Sequence, residues 1–584
     1  MKKIDSLEKI PIALIVSIVC YGIINSVCNS KAIALETLEN IQSYPLVDNS
    51  AIPLLETTRL AQVNRSIPQP KLNSAREDSR KVEIKSISVA GDTILTKGQI
   101  DEIIQPLIGK TVAVTELKLA IDDLTQIYLE QGYITSRAFL EEESVETGNI
   151  QVQIIEGSVS GVEVEGSDRL EKYVRDRINL ATQTPLNSAK LEDQLRLLRL
   201  NPLFDNVEAS LTAGDDPEIG KSVVKVRVTE ADRSNARISL DNYSPPSVGS
   251  ERLGFNYSYR NLIHSGDRFS AHYYPRLRAF FDTYDLGIEY QIPVNAKDGT
   301  VTTAFNLNRN EVIDPIGDDF DELEIEGESE KYSLRFRQPI LRDPRQELAL
   351  SAAFDYQDGQ TLLFQAGTPF GLGADEEGNT TTSVFRFGQE YVMREVSGAW
   401  AFRSQFNLGA NIFGATENDE PVPDSQFFSW LGQVQRVQVL NNNNFLVIQA
   451  DIQLAANSLL PSQQFVIGGG QSVRGYRQNA RSGDNGVVFS IEDRLTLLKN
   501  NAGEASLTFA PFFNLGAVWN NNDNPNELPE ETFLAALGVG FIWQPIKGLN
   551  LNVDYAPPLV GLDNEGDDIQ NDGLHFSLDY TLSF

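Results

Sequence analysis

Apolar residues along this chain change their spacing twice, and the changes divide it into regions. From Lys81, the run Val82-Glu83-Ile84-Lys85-Ser86-Ile87-Ser88-Val89 alternates every second residue, the period of a half-buried strand, before a Gly91-Asp92 turn. Thr96 to Ile108 then carries Ile100, Ile103, Ile104 and Leu107 at helical spacing. Glu116 to Gly132, with Leu117, Ile121, Leu124 and Tyr128 on one stripe, predicts a second helix capped by Thr115. Strands are predicted over Ile134 to Leu140 and Asn149 to Glu156. The same β-α-α-β-β order recurs from Ser158: a strand over 159–164, helices over 169–179 and 188–200, and strands over 207–212 and 223–229. Asn187 or Ser188 is placed to cap the second of these helices. Two tandem copies of one small α+β unit form an internal repeat of architecture.

From about Arg233 helical periodicity ends and two-residue alternation takes over to Phe584. Tyr284-Leu286-Ile288-Tyr290-Ile292, Leu446 to Leu454 and Leu507 to Leu515 are such rows. The last row, Leu574 to Phe584, ends the chain on an aromatic. Turn-rich acidic stretches separate the rows, among them 314–330, 374–382 and 520–532. Segments of about ten alternating residues with aromatics near their ends are the signature of a transmembrane β-barrel, and about 20 residues per strand with its loop gives roughly sixteen strands. A soluble sandwich or propeller is the alternative. An export signal, the scarcity of strongly apolar core runs and the aromatic C-terminus favour the barrel.

One stretch departs from alternation: Gly468-Gly469-Gly470-Gln471-Ser472-Val473-Arg474-Gly475-Tyr476, followed by Gly483-Asp484-Asn485-Gly486. Two readings fit these residues alone, a surface hairpin with an incidental arginine and a loop that turns back inside the barrel. No Lys-Ser/Thr follows the glycines, so they lack the form of a phosphate cradle.

Charge and composition narrow the function. A formal charge of −32 argues against nucleic acid as a partner. Cys20 and Cys28 both fall in the first thirty residues, and the three histidines His264, His272 and His575 are isolated, so no thiolate or histidine site for catalysis or metal emerges. Asp318, Asp319, Asp321 and Glu322 supply oxygen ligands without calcium-loop spacing, and neither metal nor cofactor is expected. Met1-Lys2-Lys3, an apolar run over 10–24 and Ala32-Ile33-Ala34 predict a signal peptide over residues 1–34. Residues 35–80 read as a proline-containing linker, either a disordered tether or one with a short helix near 51–63.

The chain from 81 to 584 resembles the two-partner secretion transporters (TpsB; the ShlB/FhaC-type haemolysin secretion and activation family). The resemblance rests on Val473-Arg474-Gly475-Tyr476, approached by Phe465, Gly468 and Gly469 and followed by Gly483, Asp484, Gly486, Glu492 and Arg494. Gly132 to Ala138, Gly148 to Gly157 and Leu191 to Pro202 carry it in the repeated units. It implies two POTRA domains, over 81–157 and 158–232, then a sixteen-stranded outer-membrane barrel over 233–584 whose loop near 465–486 folds into the pore. It further implies a monomer facing outer-membrane lipid, inserted by the barrel assembly machinery with Tyr580 and Phe584 as C-terminal signal. Its partner would be a large unfolded exoprotein, and no enzymatic step is implied. A BamA-type insertase and a passive porin or receptor are the alternatives.

This chain departs from the family pattern at two points. Glu141-Glu142-Glu143 stands where Pro and Gln are usual. The strand usually reading Phe-x-Asp-x-Gly is Phe512-Phe513-Asn514-Leu515-Gly516, so an amide replaces the carboxylate thought to pair with the loop arginine. Arg474 is therefore expected to seek another carboxylate besides the amide of Asn514, with Glu492 or Asp493 as candidates by proximity along the chain.

Overall fold

The computed structural model of the chain describes residues 80–213, 220–313, 324–562 and 568–584. The signal-peptide and linker expectations, and the acidic cluster at 318–322, lie outside these residues. The described residues divide into two compact units, 80–231 and 232–584.

The first unit holds both small domains. In the first, β1 (Lys81–Glu83), β2 (Ser86–Ala90), α1 (Lys97–Ile104), β3 (Thr111–Ala113), α2 (Val114–Glu130), β4 (Arg137–Leu140), α3 (Glu142–Val145) and β5 (Asn149–Ile155) follow in order. The sheet runs β2-β5-β4, while β1 pairs with β3. Thr96 caps α1 through a reciprocal pair with Gln99. Thr115 does not cap α2: β3 runs straight into the helix at Ala113, so Thr115 already lies inside it. The three glutamates at 141–143 lead into the short helix α3. Leu117, Ile121, Leu124 and Tyr128 of α2 are buried on Ile150, Val152 and Ile154 of β5.

The second domain contains β6 (Ser158–Glu165), α4 (Glu171–Ile178), α5 (Ser188–Arg199), β7 (Phe204–Ala213) and β8 (Lys221–Glu230), with sheet order β6-β8-β7. Asn187 is the cap of α5, accepting from the Ala189 and Lys190 amides. Its side-chain nitrogen donates to the Gln131 carbonyl at 3.2 Å, at the end of α2 in the first domain. Ser188 adds two donors to the Gly132 carbonyl, from its amide at 2.9 Å and its hydroxyl at 3.0 Å.

The stretch 134–136, read from its pattern as strand, serves this joint instead. Ile134 packs on the second domain's core. The Ser136 hydroxyl accepts from the Gly157 amide at 3.0 Å. Glu156 accepts from the Tyr128 hydroxyl at 2.7 Å and the Thr93 amide at 2.7 Å, and burial together with this carboxylate pushes the Tyr128 phenol up. A Cβ at Gly157 would overlap Thr135. Gly157→Ala should therefore cost about 1–3 kcal/mol, the usual range for overpacking a filled site. Thermal unfolding of residues 80–231 checks this, with a Tm lowered by several degrees as the expected result.

In the second unit, the described residues form sixteen barrel strands: β9 (Ser234–Asp241), β10 (Arg252–Arg260), β11 (Arg268–Pro275), β12 (Tyr284–Pro293), β13 (Thr300–Glu311), β14 (Ile325–Arg342), β15 (Gln346–Leu363), β16 (Asn379–Glu395), β17 (Gly398–Gly409), β18 (Phe428–Asn441), β19 (Asn444–Ala455), β20 (Asn485–Lys499), β21 (Ala505–Trp519), β22 (Phe533–Trp543), β23 (Leu549–Tyr555) and β24 (Leu574–Ser583). Each is antiparallel to its neighbours, and β24 closes on β9 from Ser577 opposite Asp241 to Ser583 opposite Asn235. The Phe584 and Ser234 backbones exchange two further bonds of 3.0 Å. Closure leaves no unpaired edge, which a hydrocarbon surround requires.

The alternation expected from the sequence sets the two faces. Ile288, Phe336, Phe402 and Leu454 face outward and are exposed, while residues between them, such as Asp355 and Asp451, are buried in the lumen. At the near rim, where β9 begins, connections are short, as at 343–345 and 396–397. At the far rim they are long, as at 410–427, 456–484 and 556–573, the asymmetry typical of outer-membrane barrels. Strand β14 begins at Ile325, inside the stretch read from sequence as loop.

Candidate functional site: the loop returned into the barrel

The longest of these connections, between β19 and β20, turns back between the strands. Its two legs form a short ladder, Phe465–Ile467 against Arg481–Gly483. Gly468 and Gly469 have φ of +104° and +98°, and Gly475 has +101°, a backbone region costly for any residue with a Cβ. The glycines thus let the tip reverse within the lumen. Val473 and Tyr476 are buried there with Phe465, Ile467 and Ala480 against Val488, Phe512, Leu534 and Ala536 of the wall.

Arg474 sits at the tip. Its Nη1 donates to the Glu492 carboxylate at 2.6 Å and lies 3.6 Å from Asp554; its Nε donates to the Asn514 carbonyl oxygen at 3.2 Å. The guanidinium lies 3.4 Å from the centroid of the Phe512 ring, a cation–π contact. Glu492 also accepts from Arg494 at 2.6 Å. Asn514 donates to the Ser472 carbonyl at 3.3 Å and to the Ser490 hydroxyl at 3.0 Å. A Cβ at Gly516 would come within 2.9 Å of Val473. Phe512, Asn514 and Gly516, two residues apart on β21, therefore stack on, hydrogen-bond to and make room for successive parts of the loop.

Asp493 is not part of this network. It follows Glu492 on β20 and pairs opposite Leu446, so strand alternation turns it to the outer face. Asp554 is brought in instead, from β23, forty residues beyond Asn514 in the chain. It alternates with Val553 and Tyr555 in a polar-apolar row, a pattern that marks a lumenal face but not which arginine reaches it.

Three further contacts hold the loop, each through a group that periodicity could not single out. The Tyr476 hydroxyl donates toward the Ala535 carbonyl at 2.8 Å and accepts from the Ala535 and Val560 amides at 3.1 and 3.2 Å. Gln570 accepts from the Gln478 amide at 2.7 Å while donating to the Asn242 and Ser244 carbonyls. Arg481 donates to the Glu531 carbonyl at 2.6 Å.

Asp484, at the far-rim end, is fully buried. It accepts from the Leu459 amide at 2.9 Å, the Asn521 amide at 3.0 Å and the Asn524 side chain at 3.0 and 2.9 Å. Donors from the 520–532 connection thus surround this carboxylate. Gly483 and Gly486 flank it, and Phe465 fills the space where a Cβ at Gly486 would stand. At the C-terminus, Tyr580 and Phe584 face outward at the seam, 38% and 64% exposed.

Comparison with known proteins finds a family and a shared fold. The family described as haemolysin secretion/activation protein ShlB/FhaC/HecB matches residues 220–542, more than half of the chain. The ShlB-type POTRA domain matches residues 82–157. The heme/hemopexin transporter protein HuxB of Haemophilus influenzae is 21% identical over 482 residues, covering 79% of this chain and 80% of its own. Among solved structures, CdiB from Escherichia coli superposes with a TM-score of 0.66 at 20% identity, over 92% of this chain and 99% of its own. BamA from Haemophilus ducreyi, in a form lacking POTRA domains 1–3, gives 0.52 at 13% identity, over 86% and 100%. At such identities the structural likeness shows a shared fold.

Proposed function

The chain belongs to the haemolysin secretion/activation family of ShlB, FhaC and HecB, and on that footing we propose how its parts divide the work of export. It is an outer-membrane transporter for a partner exoprotein, with its POTRA region in the periplasm. The two small domains capture an extended segment of the unfolded client by strand addition. Their sheets end in β2 and β4, and in β6 and β7, and such edges present unpaired main-chain donors and acceptors. The loop carrying Arg474 closes the lumen at rest and withdraws during passage. Folding of the client outside the cell supplies the driving force, and no catalytic step is involved. The transporter works as a monomer after a signal peptide over residues 1–34 is removed, and the assembly machinery reads Tyr580 and Phe584 during insertion.

The observation that supports this reading best is the returned loop. A passive porin needs no arginine-anchored loop inside its lumen, and it needs no tandem POTRA pair before the barrel. An insertase shares the fold, as the BamA likeness reflects. Secretion separates the two. With the exoprotein of a neighbouring gene co-expressed, the exoprotein should reach the medium only with the full transporter, and residues 80–231 should retain its N-terminal region in a pull-down. Accumulation of misassembled barrels on depletion, with secretion unchanged, would favour the insertase.

A further inference from the structure

The lumen has two chemically different walls. Along β14–β16 its charges satisfy one another: Asp355 is 3.2 Å from Lys331 and 2.6 Å from Arg386, and Arg337 is 2.7 Å from Glu347 and 2.8 Å from Glu390. Across β17–β19 the lumenal face carries six side-chain amides, Gln405 and Asn407, then Gln433 and Gln435, then Gln449 and Gln453, with Arg403 and Asp451 among them. Gln405 bonds to Asn407 at 2.7 Å, and Asp451 absorbs the Gln433 and Gln449 nitrogens at 3.3 and 3.0 Å.

Gln435 is different. It is 5% exposed, yet neither its amide nitrogen nor its oxygen has a partner, and the Gln433 oxygen has none either. A buried unmet donor or acceptor costs about 1–3 kcal/mol, so such groups gain when a matching pair arrives. A primary amide carries one donor face and one acceptor face, the complement of a peptide group. Gln433 and Gln435 are two residues apart on one strand, and an extended polypeptide repeats its own geometry at that same interval of two residues. Gln435 also stands in a lumenal row through Gln449 and Ser490 to Asn514, the residue bonded to Arg474.

We propose that the lumenal face of β18 and β19 is a track for the client's main chain, with Gln433 and Gln435 pairing with passing peptide groups whatever their side chains. The proposal rests on the export reading given above. Because the charges of the other wall are held in ion pairs with one another, the grip on the client comes from main-chain amides and tolerates a varied sequence.

The test uses the full-length transporter in planar bilayers, with an uncharged glycine-serine-threonine peptide of about thirty residues as probe, long enough to span a hydrocarbon layer about 30 Å thick. Polyethylene glycol of matched size, which has no amide, is the control. In Gln433→Met/Gln435→Met the peptide's blockade time should fall about tenfold, equivalent to about 1.4 kcal/mol. Open conductance and the polymer's blockades should be unchanged. Gln435→Met alone, a milder change, should show a smaller fall in the same direction. Unchanged peptide blockades in both variants, or an equal loss for the polymer, would overturn the track. Secretion by the unaltered transporter is measured alongside: if it secretes while blockades do not respond, only the track fails, and if it secretes nothing, the export reading fails as well.

Discussion

Arg474→Ala should abolish export of the partner exoprotein while leaving the barrel wall assembled. The guanidinium is the cation that Glu492 and Asp554 share, and it lies flat on Phe512. Breaking a buried pair by removing one partner costs about 3–5 kcal/mol, because a charge is left without compensation. Glu492 keeps Arg494 in that variant, whereas Asp554 loses its cation. A docking energy lowered by about 3 kcal/mol shifts the loop's docked-to-undocked ratio by more than a hundredfold. Arg474→Lys keeps the charge but loses the flat fork that stacks and bonds at once, so it should recover only part of the activity. Heat-modifiable migration of the barrel gives the assembly control, and exoprotein in the medium gives the readout. Full secretion from Arg474→Ala would show that the loop's position is set by its other contacts.

The same network accounts for the amide at 514. Two carboxylates, from β20 and β23, already face Arg474, so a third at 514 would add like-charge repulsion in a confined space. The amide also donates to the Ser472 carbonyl, which an ionised carboxylate cannot do. Glu492→Gln should accordingly loosen the loop more than Asn514→Ala, and Asn514→Asp should weaken docking in this chain. Proteolysis of the loop in intact membranes ranks the three.

Asp484→Ala should produce a leaky pore while the tip of the loop stays docked. Its carboxylate is held by backbone and side-chain amides with no cation in the set, so its removal strands several donors at once. Each stranded donor costs about 1–3 kcal/mol unless water reaches it. The connection at 520–532 then separates from the returning leg of the loop, while Arg474 still anchors the tip. Cells carrying the variant should admit large antibiotics that the parent excludes, and single channels should open more often. Asp484→Asn, which keeps one acceptor oxygen, should be intermediate. Unchanged permeability in Asp484→Ala would mean the tip alone closes the lumen.

Where periodicity is strict, the sequence was readable. The rows Tyr284 to Ile292 and Leu507 to Leu515 are outward faces of strands because alternation has one solution once one side meets lipid and the other a polar lumen. Where a segment serves two neighbours, periodicity misled. Ile134, Thr135 and Ser136 have the composition of a strand start, but they are recruited to the joint between the small domains, where Gly157 bonds to Ser136 and Ile134 packs on the second core. Thr115 is a good cap residue placed two residues too late, since β3 already fixes where the helix begins.

Local spacing was enough to place two small α+β units before a barrel and to single out the glycine-rich stretch around Arg474 that interrupts its strands. The reason is that these are properties of local spacing and of residues with special backbone freedom. Only the tertiary structure decided what the arginine meets. Glu492 and Asp493 are adjacent in the chain and both carry a carboxylate, yet strand alternation sends one into the lumen and the other to the outer face. Asp554 reaches the same guanidinium because the curved sheet runs β20-β21-β22-β23 and turns one lumenal face toward the loop.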